Sequence, residues 1–431
     1  MTKEKQDKKS QGEALRERWL VGMDLHSEQA TLCIARWRFG SEPKVHKESE
    51  VALDRIEAYY RRHVPEGALT VVEATTNAFD TAKRLEAEGY EVAVVCSDAL
   101  KGMTRGDKVN DRHDARNLVR AWARGSAREV HVPTEGEASL RELHFGRRDA
   151  VRAATAAKNR IWAFCKRLGL KRSGGEPARR NEGIAAQVAA RFDPASHEAF
   201  RWRTLHEEAT RCEAILAAYE ERVESTVAAH PDAASLMQVL GIGPVNALAL
   251  CAFIGDARRF ATSSKLVAYV GLNPSVCQSG KSQSGGSLSH FGRRDVKWLL
   301  IEGAHKALAF GKSAMCRWAR RKILQGKEEK VVLCALARKM LVAAWHILMG
   351  HPPLDPAISP NHERKLLKVA RAARRTGTLA AMGFKTSRQY VLHVASATSA
   401  RARVRGELVT EGPNPNTPSQ IETLQSKSQN I

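Results

Sequence analysis

The chain has eight cysteines but no C-x-x-C pair. Cys33, Cys96, Cys165, Cys212, Cys251, Cys277, Cys316 and Cys334 are scattered, mostly among apolar neighbours. That pattern reads as reduced core thiols and excludes a disulfide scaffold or a zinc ribbon. The N-terminus, MTKEKQDKKSQGEALRERW, lacks an apolar signal-peptide core. No long apolar run is free of charge: VVLCALARKMLVAAWHILM carries Arg338 and Lys339 at its centre. A buried amphipathic helix is expected there, not a membrane span. A P-loop is also missing, so nothing points to ATP as a driving force. Acid is scarce beside base, with 69 Lys and Arg against 47 Asp and Glu and a net charge of +22. Such an excess draws polyanions, of which nucleic acid is the commonest for a cytoplasmic protein.

Four acids stand out from this basic background. Asp24 lies in WLVGMDLHSEQATLCIARW and Glu73 in ALTVVEATT, both apolar runs of strand type. Asp111 and Asp114 sit three apart in KVNDRHDAR, which opens a helical stretch. A carboxylate in an apolar strand is costly unless paired, and a divalent cation is the usual partner. Four carboxylates suffice for one or two hard ions, Mg²⁺ or Mn²⁺, over a scissile phosphate. Helix capping by Asp111 and a dipole contribution from Asp114 are the alternative, but they leave the two strand acids unexplained. His26, two residues after Asp24, would share its strand face, as a substrate contact or as a hydrogen-bonded structural residue.

At 431 residues the chain should hold several modules. Residues 1–16 read as a disordered lead-in. Over 17–130, three strands are followed by helix, strand, helix, strand and helix, the order of an RNase H-like α/β domain. Residues 131–230 carry two long helical seams, from Leu140 to Leu168 and from Leu205 to Val223, joined at a tip by the Gly- and Arg-rich loop KRSGGEPARRNEG. They fit an internal hairpin or a dimerising coiled coil equally. Residues 231–350 form a mainly helical third module. Its Gly241-Ile242-Gly243-Pro244 turn suits a helix-hairpin-helix that binds phosphate through backbone N–H groups, or ordinary helix packing. A Ser- and Gly-rich loop with Lys281, Arg293, Arg294 and Lys297 follows, a flexible linker or an active segment. The tail from 351 to 431 is basic and partly disordered, with one short cationic helix expected over 361–376.

Together the motifs resemble the DEDD transposases of bacterial insertion sequences, a group that includes bridge-RNA-guided recombinases and Piv-type DNA invertases. V-G-M-D-L-H-S at 21–27, V-V-E-A-T at 71–75 and N-D-R-H-D-A-R at 110–116 carry the first half of the match. G-I-G-P at 241–244, A-Y-V-G-L-N-P at 268–274, Q-S-G-K at 278–281 and G-R-R-D-V-K-W-L-L from 292 carry the second. The resemblance implies a RuvC-like domain with Asp24, Glu73, Asp111 and Asp114 as metal ligands, a coiled-coil linker, and a transposase domain with a nucleophilic serine. By position after G-L-N-P that serine matches Ser279, with Ser282, Ser284 and Ser287 nearby. The stretch before the basic helix reads Leu288-Ser289-His290-Phe291-Gly292, with histidine where the family commonly has lysine. The resemblance further implies a DNA substrate, a structured non-coding guide RNA, assembly as a dimer to tetramer, and a place at the bacterial nucleoid.

Overall fold

The structure is a computed structural model, and it describes residues 17–96, 111–171, 177–279, 282–288, 292–351 and 359–397. The lead-in expected over residues 1–16 lies outside the described residues. Two compact units make up the chain, Met1–Thr134 and Glu135–Ile431.

The first unit runs β1 (Arg18–Leu25), β2 (Gln29–Trp37), β3 (Lys44–Ala52), α1 (Ile56–His63), β4 (Leu69–Glu73), α2 (Ala78–Ala87), β5 (Glu91–Val95) and α3 (Asp111–Ala123). The strands lie in the order β3-β2-β1-β4-β5. β1, β2 and β3 are antiparallel neighbours, whereas β4 and β5 run parallel to β1. A parallel neighbour needs a crossover, and α1 and α2 supply the two required. Strand alternation sorts the apolar side chains onto two faces. Val21, Met23, Leu32, Ile34, Val72 and Val94 pack under α1 and α2. Leu20, Cys33, Leu69, Val71, Ala93 and Val95 pack under α3. This two-sided burial explains why β1 and β4 read as nearly continuous apolar runs.

Gly22 sets how closely α3 approaches the sheet. A Cβ at this position would lie 1.9 Å from the backbone oxygen of Ala115 and 2.9 Å from a methyl of Val119. The first of these is helix backbone and cannot rotate away. Gly22→Ala is therefore expected to destabilise the first unit by about 1–3 kcal/mol, the usual cost of overpacking. Urea denaturation followed by circular dichroism measures it, and an unchanged midpoint would contradict the close approach.

The second unit begins with α4 (Glu135–Leu168), α5 (Pro177–Arg191), α6 (His197–Ala229), α7 (Pro231–Leu236), α8 (Pro244–Ile254) and α9 (Ser263–Val270). The hairpin of β6 (Pro274–Ser279) and β7 (Ser282–Leu288) follows. α10 (Arg294–Phe310), α11 (Ala314–Leu324), α12 (Glu329–Leu348), α13 (Pro360–Arg375) and α14 (Thr378–Ala381) complete it. α4 and α6 lie antiparallel within the chain. Arg147 bonds Glu220, Lys158 pairs with Glu213, Arg160 with Glu208, and Phe164 stacks on Trp202. Arg147, which interrupts the apolar seam in the sequence, thus meets a carboxylate on the partner helix. The tip expected as a loop contains α5, whose Ile184 and Val188 are buried with Ile161 and Trp202.

α12 is the one described helix long and apolar enough to cross a membrane by length and composition. Val332, Leu333, Leu336, Met340 and Leu341 on it are packed into the core of the unit. The region expected as a basic tail also contributes to that core over 359–397. Leu366, Val369, Ala370, Leu379, Tyr390 and Val391 are buried there. The apolar positions of α13 recur at three and four, but its many cations mask them in a composition reading.

Candidate active site

Asp24 is the penultimate residue of β1 and Glu73 the last of β4. The parallel register pairs Met23 with Val72, so the two acids follow as neighbours at the carboxyl ends of adjacent strands. Alternation puts both on the face that carries Leu20, Gly22, Leu69 and Val71, the face covered by α3. The Asp24 carboxylate is largely shielded, with 14% of its side chain exposed. His26 Nε2 lies 3.3 Å from Asp24 Oδ2. The strand ends are tied together by Asn77, whose Nδ2 donates to the His26 carbonyl at 2.8 Å.

Ala115, Leu118 and Val119 of α3 face the sheet. Arg112 and Arg116 stand on one flank of that helix and meet β3. Arg116 donates two hydrogen bonds to Glu48, one of them at 2.7 Å, and Arg112 reaches Glu50 at 3.5 Å. The hydrogen bonds from Arg116 hold the Glu48 carboxyl below its ordinary range. β3 lies on the far side of β1 from β4. Helical periodicity therefore turns Asp114 to the opposite flank, toward the side where Asp24 and Glu73 end their strands. Asp111 opens α3, and its side chain lies outside the described residues. Among the described residues no three His, Cys, Asp or Glu side chains converge closely enough to hold a metal ion. The strand pair and Asp114 share a side of the fold without forming a closed cluster. The sequence singled out the four acids. It missed Glu48, Arg112, Arg116 and Asn77, although two arginines spaced by four on the acid-bearing helix were a usable signal.

In the second unit Ser279 ends β6 and pairs with Ser282 of β7. Its side chain lies outside the described residues, as do Gly280 and Lys281. The stretch expected as a loop is thus a strand pair, which its Ser and Gly content concealed. Gly241 has a φ of +89°, and a Cβ there would lie 2.5 Å from the Gly303 carbonyl oxygen. It is a packing glycine, where α10 crosses the turn. Asn246 fixes the crossing by donating to the Gly241 and Leu299 carbonyls. Gly243 is the N-cap of α8, with open space where a side chain would project. Arg293 donates to the Tyr269 hydroxyl at 3.1 Å and lies over the rings of Phe253 and Tyr269, a local structural role. Arg294 is exposed and Lys297 half-buried on α10.

Two residues of α13 that the sequence left in the tail brace this turn. Lys365 Nζ donates to the carbonyls of Met237, Val239 and Ile242 at 2.7–3.1 Å. Burial lowers its ammonium to about 8. Buried His362 holds the Ala234 carbonyl through Nε2 at 3.1 Å, and burial pulls its imidazole down to about 4. Unfolding returns that ring to about 6.5, so below that pH the unfolded chain takes up a proton the fold refuses. The second unit should lose stability as pH falls from about 6.5 to about 4, by about 3 kcal/mol at about 1.4 kcal/mol per unit. Urea midpoints at pH 7 and pH 4.5 test this. His362→Gln should flatten the dependence, and an equally steep profile in that variant would contradict the assignment.

Residues 233–319 match the family model described as the transposase IS116/IS110/IS902 family. A "Probable family 20 transposase" of Pseudomonas aeruginosa is 30% identical over 300 residues, spanning 68% of this chain and 87% of its own length. The transposase for insertion sequence element IS1328 of Yersinia enterocolitica is 25% identical over 286 residues, 64% of this chain and 82% of that one. A pilin gene-inverting protein of Moraxella lacunata is 29% identical over 128 residues, 29% of this chain and 39% of that one. These relatives define a class, the DNA-transposing enzymes of bacterial insertion sequences. Within it, the chain belongs to the IS116/IS110/IS902 transposase family.

Proposed function

We propose that the chain cuts and rejoins DNA as the transposase of its own insertion sequence, through carboxylates of the first unit and a serine hydroxyl of the second. The observation that carries the reading is the adjacency of Asp24 and Glu73 at the ends of β1 and β4, on the face covered by α3. The strand order β3-β2-β1-β4-β5 supports an RNase H-like, RuvC-like assignment for this unit. Asp24, Glu73, Asp111 and Asp114 offer oxygen donors only, the donor chemistry that Mg²⁺ and Mn²⁺ prefer. A bound ion there would neutralise the scissile phosphate and favour departure of the 3′ oxygen. Asp24 and Glu73 would hold it from the sheet, and Asp114 with Asp111 from the helix that Arg112 and Arg116 fasten.

Ser279 is assigned the nucleophile. Its Oγ would bond to phosphorus as the bond to the 3′ oxygen breaks and that oxygen takes up a proton, leaving a phosphoserine and a free 3′ hydroxyl. A serine of ordinary acidity attacks poorly, so its proton must pass to a base at the site. Rejoining reverses the attack and needs no ATP. The acids and Ser279 belong to different units, and both are assigned to one phosphate, either within one chain or across an assembly of two to four copies. The net charge of +22 supports polyanion binding, and target choice is assigned to a structured non-coding RNA. The partial match to a pilin gene-inverting protein favours one second reading, the same chemistry used for inversion.

The test is mobilisation in cells of a plasmid carrying the gene with its native flanks. Excised or circularised junctions are expected with the intact gene and not with an interrupted one. Inverted flanks without excision would select the second reading, and no junction of either kind would overturn both.

A further inference from the structure

We propose that a groove in the second unit binds an unpaired polynucleotide strand, with Trp298 and Phe310 as stacking platforms. The proposal rests on the reading of the chain as a nucleic-acid enzyme. The groove is walled by α10, α12 and α13, with a volume of about 2120 Å³. Sites for small molecules run to about 1,000 Å³, so this one suits a polymer better than a metabolite.

α10 presents two stripes. Leu299, Gly303 and Ala307 are buried, fix the helix on the core and also line the groove. Trp298, Glu302, Lys306 and Phe310 recur every four residues and line the groove. Trp298 is 61% exposed and Phe310 86%. One exposed aromatic is ordinary, but two on one stripe of a groove call for a ligand with a flat apolar face. Lys312, Arg338, Lys339 and Arg364 line the same groove, as does Lys368, which pairs with Glu224 at 2.6 Å. Lys339 also lies over the ring of Trp318, 4.7 Å from its centroid. Its lining acids are fewer, Glu302 and Glu220, and Glu220 bonds Arg147. Cations flanking exposed rings are the pattern that tracks a phosphate backbone while bases stack. Only unpaired bases offer their faces, so a single strand fits and an intact duplex does not. A displaced DNA strand and a loop of RNA present the same chemistry.

The experiment is fluorescence anisotropy of the full chain with labelled oligo(dT), oligo(rU) and a duplex of equal length. Trp298→Ala and Phe310→Ala should each weaken single-strand binding about tenfold. Duplex binding and the salt slope should not change, because phosphate contacts remain. Trp162→Ala is the control, an exposed ring beside Lys166 on α4, outside the groove. Stronger loss with oligo(rU) would assign the strand to RNA, and with oligo(dT) to DNA. Single-strand affinity unchanged in both variants, or lost equally in the control, would overturn the proposal. A lower oligomeric state by light scattering with binding intact would overturn it too, making the face a contact between copies. Wild-type protein that binds neither single strand nor duplex would instead overturn the nucleic-acid reading itself.

Discussion

Asp24→Asn should leave the protein folded and lower metal-dependent DNA cleavage by about a thousandfold or more. The side chain sits near the end of β1, 14% exposed, beside Glu73 in the strand register. Asparagine is nearly isosteric, keeps an oxygen toward His26 and leaves the β1–β2 ladder untouched. It removes one negative charge from a place where two carboxylates are neighbours, so stability should hold or rise slightly. In the proposed reading it also removes an anionic ligand for the metal. Losing several kcal/mol of charge stabilisation at a phosphate corresponds to about three powers of ten in rate. Thermal unfolding provides a second readout: Mg²⁺ should raise the midpoint of the wild-type protein and not that of Asp24→Asn. Cleavage that persists in EDTA, or that survives in the variant, would contradict the carboxylate assignment.

The first unit was legible in the sequence because its strands are long apolar runs and its helices alternate with them. Asp24 and Glu73 stood out for the same physical reason, a carboxyl group in a run where burial penalises charge. The fastening of α3 was less visible. Glu48 and Glu50 sit in KVHKESEVA, which reads as a polar edge strand, and only pairing with Arg116 and Arg112 gives them a role. In the second unit the heptad-like seams identified α4 and α6, but composition misled elsewhere. Gly and Arg hid α5, Ser and Gly hid the β6–β7 hairpin, and the cations of α13 hid a buried apolar stripe. Gly241 illustrates the limit of a motif. G-I-G-P suits a phosphate-binding turn, yet the close approach of Gly303 explains its first glycine by packing. No local pattern in either segment announces that contact, which spans some sixty residues of chain.

The second large effect concerns the covalent step, which separates a serine recombinase from a metal-dependent nuclease. In a nuclease water attacks the phosphate and no bond joins protein to DNA. With Ser279 as nucleophile, cleaved substrate remains attached to the protein until rejoining. Ser279→Ala removes only the hydroxyl from the end of β6, and backbone pairing with Ser282 does not depend on it. Folding and nucleic-acid binding should therefore survive while cleavage falls to background. The most direct measurement is a denaturing gel of the protein reacted with end-labelled DNA carrying the native element junction, followed by peptide mapping of any adduct. The account predicts a denaturation-resistant adduct on the segment from Pro274 to Lys281, absent in Ser279→Ala. An adduct on Ser284 or Ser287 would move the nucleophile within the same hairpin, and cleavage with no adduct would contradict the account.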